Sequence, residues 1–232
     1  MNQSARRPSA PGGTADSDRV QAALDAFDRA NAADPNFEWV DGERAPKELV
    51  YARRMSAWLE RLCPQAPEAL RLAARCQHIE RWVLPRGRYP EGRVGYLTWR
   101  RDLKRYHAER AGQILSGLGY PAAEIERVQA LVRKERLKRD RGAQVLEDVV
   151  CVVFLAHYLA DFAARHDTGK VVAILRKTWA KMSPLGRAAA LALPLDEAGK
   201  DLLALALADA PAGKEMDEEM VEAAGGAAAR GP

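Results

Sequence analysis

The 232-residue chain is poor in the side chains that most often announce a function: three cysteines, four histidines and 6% aromatic residues. Cys63, Cys76 and Cys151 are odd in number, far apart and set among apolar residues. That excludes a disulfide framework, and the lack of any CxxC excludes a cysteine-rich zinc module. Reduced, core-placed thiols are the expectation for a cytoplasmic protein. The chain contains no apolar run of about 18 residues, which a membrane span requires. Its first residues, MNQSARRPSAPGGTADS, carry arginines with no apolar stretch behind them and do not read as a signal peptide. Neither GxSxG nor GxxxxGK[ST] occurs, and the glycines near residue 90 do not make GxGxxG. No β-strand, internal repeat or long heptad pattern stands out.

What is present is ordinary for a globular chain: 47% apolar and 29% charged residues, with a net charge of +4. The positive charge is uneven. RKERLKRDR (133–141) carries six basic and two acidic side chains, and WRRDLKRYH (99–107) four and one. Such runs are either solvated helix faces or anion-attracting patches.

The apolar residues recur at helical spacing almost throughout. A first helix starts near Ser17 or Asp18, and a second follows Pro46 with Tyr51, Met55, Trp58 and Leu62 on its stripe. A third is expected from Pro67 to Val83, carrying Leu72, Cys76, Ile79 and Val83. The segment LPRGRYPEGRVGY (84–96) has too many prolines and glycines for a regular element; it is a plain connection or an anion-binding loop. A fourth helix spans 97–118, a fifth opens at Pro121, and a sixth covers 143–165. This sixth helix is apolar nearly all round and so central to the domain. A seventh covers 170–182, and two short ones lie near 184–193 and 196–208. The expected architecture is an all-α, single-domain bundle of seven to nine helices over residues 18–208, between disordered tails at 1–17 and 209–232.

Three metal-competent side chains fall in the best core segments: His78, His107 and Asp148. Each has a plainer reading, as a boundary or satisfied core histidine, or as a carboxylate at a helix start. The dipeptide His166-Asp167 sits where one helix ends and the next begins, and capping explains it without a metal.

The segments PKELVYARRMSAWL, AARCQHIERW, GYLTWRRDLKRYHAERAGQIL, LEDVVCVVFLAHYLADFAARHD and TWAKMS closely resemble the DUF4202 family over about residues 18–208. The order of segments is also distantly similar to the HD-domain metal-dependent phosphohydrolases. In that likeness Tyr51 stands where the early histidine would be, and His78 matches the central histidine with Ile79 replacing its aspartate. His107 matches an additional histidine and Asp148 the late aspartate. Two of the four defining ligands are thus replaced.

The resemblance implies an HD-like bundle in which His78, His107 and Asp148 hold one divalent ion, Mn, Fe or Zn. Glu80 or Glu147 would act as general base. Arg81, Arg86, Arg88, Lys104 and Tyr51 would hold a small nucleotide or phosphorylated metabolite. The alternative is a metal-free HD-like binding protein for an anionic or nucleotide ligand. A third reading is an RNA-binding protein using 99–105 and 133–141, with Trp99 and Tyr106 for stacking.

Overall fold

The computed structural model describes residues 13–137 and 139–208, and these form an all-α domain with one short β-hairpin. The helices are α1 (Gly13–Asn31), α2 (Lys47–Leu62), α3 (Glu68–Arg75), α4 (Gly92–Gly117) and α5 (Ala122–Val132), followed by α6 (Arg141–His157), α7 (Leu159–Ala163), α8 (Thr168–Lys181), α9 (Pro184–Leu191) and α10 (Glu197–Ala208). Residues 1–12 and 209–232, to which most of the two expected tails belongs, lie outside the described residues; 13–17 are the first turn of α1. Among the described residues no helix is long and apolar enough to cross a membrane.

The central position of α6 follows from its sequence. From Leu146 to Leu155 every side chain is buried, and the helix packs on α2, α3, α5, α8 and α9. Its start is set by Asp140, whose carboxylate accepts from the backbone N–H groups of Gly142 and Ala143. The expected single helix through 165 breaks at Tyr158 (φ −129°), which divides α6 from α7. There the Tyr158 hydroxyl meets Arg54 of α2. Asp167 caps α8 by accepting from Lys170 N at 2.8 Å, the structural role its position suggested.

Three further expectations are corrected. A hairpin is present where no strand was expected: β1 (Phe37–Val40) pairs antiparallel with β2 (Glu43–Pro46). Its turn is Asp41-Gly42, both at positive φ (51° and 84°), the backbone a two-residue hairpin turn demands. The third helix ends at Arg75, not Val83. Residues 76–80 form tight turns, Glu80 takes a left-handed conformation (φ 49°), and Arg81–Val83 make one 3-10 turn. Asn31 stabilises this conformation, its Oδ1 accepting from Glu80 N at 2.9 Å. The chain then runs through a second 3-10 turn (Arg86–Arg88) into α4, which begins at Gly92, five residues before the expected start. Gly92 has φ +83°, and a Cβ on Gly95 would lie 2.0 Å from the Pro90 carbonyl oxygen, so this entrance to α4 requires glycine at both positions.

Candidate functional site

His78, His107 and Tyr51 come together beneath the start of α2. The rings of Tyr51 and His78 stack at 4.2 Å with 11° between planes, and His78 and His107 lie 5.9 Å apart by centroid. Each element holds its residue by a local device. The cap residue of α2 is Pro46, which has no side-chain donor or acceptor. Asp34 supplies the cap instead: its Oδ2 accepts from Glu48 N and its Oδ1 from Asn36 N, both at 2.9 Å. This fixes Lys47 and Glu48, both buried, at the first turn. The turns after α3 carry Gln77, His78 and Arg81 inward, and Arg81 stacks over Trp99 at 5.0 Å. On α4, Arg100, Leu103 and His107 share one buried face.

His107 Nδ1 donates to the Ile79 carbonyl at 2.7 Å. With its proton there, neutral His107 presents a bare lone pair at Nε2. Burial, then the charges nearby, pushes both histidines well below their ordinary pKa and keeps them uncharged at neutral pH; for His78 these charges are Arg81, Arg100, Lys134 and Lys47. The 3.6 Å approach of Glu48 Oε2 to His78 Nδ1 is therefore not an ion pair. Burial raises the Glu48 carboxyl to about 7 against the opposing pull of Arg81 and Lys47.

Several polar atoms here are fully buried and have no hydrogen-bond partner among the described residues: Lys47 Nζ, Arg100 Nη1, Glu48 Oε2, Gln77 Oε1 and His107 Nε2. A buried polar group left unsatisfied costs on the order of 1–3 kcal/mol, more if charged. Five such atoms, one of them on His107 itself, mark a place built for something other than stability.

The other expected site residues lie elsewhere or are already engaged. Asp148 does not join the histidines. Its Oδ1 accepts from Ser183 N at 2.8 Å and Gln144 Nε2 at 3.1 Å, and its Oδ2 from Ser183 Oγ at 2.5 Å. It anchors the start of α9, which passes so close that a Cβ on Gly186 would sit 2.6 Å from the Asp148 carboxyl carbon. The set His78, His107 and Asp148 therefore does not fit one metal ion in this arrangement. Among the described residues no three or more His, Cys, Asp or Glu side chains are gathered as a metal group.

Neither expected base is free to act as one. Glu80 takes two hydrogen bonds from Arg110 (2.8 and 3.0 Å) and one from Tyr106 (2.8 Å). Glu147 is buried against Lys134 Nζ at 2.5 Å. Burial pushes the Glu147 carboxyl up, but Lys134 and Lys181 outweigh it and hold it at about 2, too acidic to collect a proton near neutrality.

Arg81 belongs to the site. Arg86 and Arg88 instead brace their own loop, donating to the carbonyls of Tyr89 (2.9 Å) and Val83 (3.5 Å). Lys104 is half-buried one turn beyond Arg100. Lys47, Glu48 and Gln77 carried no signal in the sequence, and Arg100 and Lys134 stood out only as members of the basic stretches 99–105 and 133–141. For Arg100 a further signal existed, because it precedes Leu103 and His107 at helical spacing. For Lys47 and Glu48 none did, since a charged pair in a first helical turn is normally solvated.

An all-α domain with a closed, cation-rich polar centre between α2, α4 and the turns after α3 is the class that fold and site define. The chain belongs to the family described as "Domain of unknown function (DUF4202)", matched over residues 21–203. No curated protein and no solved structure matches it.

Proposed function

We propose that this domain binds a small anionic ligand at the His78–His107 centre, without a metal. The observation that carries this reading is the pair of cationic donors, Lys47 Nζ and Arg100 Nη1, both buried and both without a partner among the described residues. A buried, unpaired charge is strongly unfavourable, and an anion arriving between two such donors recovers charge-assisted hydrogen bonds in a low-dielectric setting. The local balance favours the same sign. Lys47, Arg81, Arg100 and Lys134 all act on His78, while Glu48 and Glu147 neutralise two of them. Farther out, Glu38 is paired with Arg54. The charges acting on His78 are thus mainly positive, which an anion matches. The same surplus repels a divalent cation.

The test is thermal unfolding in low salt with a panel of phosphomonoesters and carboxylates. A ligand that raises the melting temperature of the native chain, but not of Lys47→Met or Arg100→Leu, supports the reading. No shift with any dianion sinks it. Metal-assisted hydrolysis of a nucleotide or phosphorylated metabolite, as the HD-like resemblance implies, is the second reading; the bare Nε2 of His107 beside His78 favours it. Elemental analysis of untagged protein separates the two: near-stoichiometric Mn, Fe or Zn that is lost in His78→Ala would replace the first reading with the second.

A further inference from the structure

The unpartnered atoms of the centre are of two kinds. Lys47 Nζ and Arg100 Nη1 can only donate; Gln77 Oε1 and His107 Nε2 can only accept, the latter because Nδ1 has given its proton to the Ile79 carbonyl. Glu48 Oε2, when ionised, is a third acceptor. All five belong to residues at most 6% exposed, so bulk solvent does not satisfy them. A bare anion answers only the two donors. It would leave the acceptors as they are, or face them with its own lone pairs. The inventory is answered by a ligand with an anionic group at one end and hydrogen-bond donors beside it.

We infer that the ligand is a hydroxylated phosphomonoester, whose phosphate is held by Lys47 and Arg100 and whose neighbouring hydroxyls donate to Gln77 Oε1 and His107 Nε2. This rests on the anion-binding reading above and specifies its ligand. Phosphate suits two buried cationic donors because a monoester is dianionic near neutrality and offers several acceptor oxygens, whereas a single carboxylate brings one charge between them. Gln77 is then a specificity residue. Its neighbour His78 is held in place by stacking on Tyr51.

The experiment compares two probes of equal phosphate charge, methyl phosphate and ribose 5-phosphate, by isothermal titration of the full chain. Ribose 5-phosphate is expected to bind tighter by about tenfold or more, since each added hydrogen bond to a buried acceptor is worth up to about a factor of ten. Gln77→Met is expected to narrow that gap. Equal affinity of the two probes for the native chain overturns the inference while leaving anion binding standing, and so does an unchanged gap in Gln77→Met. Binding of neither probe overturns the anion reading itself. The native-chain comparison decides the matter even if the variant does not fold.

Discussion

Lys134→Met tests whether the electrostatic frame of the centre is as described. Lys134 reaches inward from a left-handed backbone position (φ 59°) to hold Glu147, which is 3% exposed. Its Nζ lies 2.5 Å from the carboxylate. Methionine keeps most of the volume and the same backbone cost, so the change isolates the charge. In the native chain the Glu147 pKa falls from 4.5 to about 2. A depressed carboxyl stabilises the fold above its unfolded pKa, and that stabilisation is lost as pH falls through the folded one. The shift corresponds to about 3 kcal/mol. Without Lys134 burial pushes the carboxyl back up against the weaker pull of Lys181 and Arg100, so its ionisation no longer favours folding as it did.

The expected loss is about 3–5 kcal/mol at pH 8, toward the lower end because Lys181 and Arg100 remain nearby. It should narrow as the pH is lowered and Glu147 takes up a proton. Urea unfolding from pH 8 to 5 measures this, and Lys134→Met/Glu147→Leu should recover most of the loss. An unchanged midpoint for the single variant, or a loss independent of pH, refutes the reasoning.

The remaining predictions use the same geometry. Gly186→Ala drives a methyl into the Asp148 carboxyl and should cost about 1–3 kcal/mol in chemical denaturation; a neutral result would mean that α9 is not docked as described. Glu80→Gln weakens the pair with Arg110 and should lower stability by about 1 kcal/mol without changing ligand affinity; a large affinity loss in titration would return Glu80 to the site. His78 and His107 have depressed pKa values, so their contributions are present above 6.5 and lost as pH falls. Glu48, raised from 4.5 to about 7, acts oppositely. Between those two unfolded values the two histidines, joined by His157, which burial and the nearby Arg54 and Arg61 lower to about 4, outweigh the raised carboxyls of Glu48 and Glu38, and stability should drop by about 1–3 kcal/mol per pH unit on acidification. A flat or rising profile contradicts buried neutral histidines.

The helices were legible because burial imposes a period. The apolar stretch from Leu146 to Leu155 announced the central helix, and His107 announced its own buried face. The end of α3 was not legible. Residues 76–83 keep helical spacing while folding as turns, because a side chain 49 residues away, Asn31, captures the Glu80 amide. The hairpin was legible in principle from Asp41-Gly42, but its strands are only four residues long. Of the site, the histidines and Arg81 were found by residue type. Lys47 and Arg100 were not, because the sequence shows charge but not burial. Asp148 misled for a related reason: a carboxylate on a core helix implies a partner, and the partner proved to be Ser183.

The central claim is that Lys47 and Arg100 receive an anion. Isothermal titration of a phosphomonoester dianion into the untagged native chain and into Lys47→Met/Arg100→Leu tests it directly. Saturable binding to the native chain is expected, with its loss in the double variant while helical content by circular dichroism is preserved. Absence of binding to the native chain, or equal affinity in the two proteins, would contradict it.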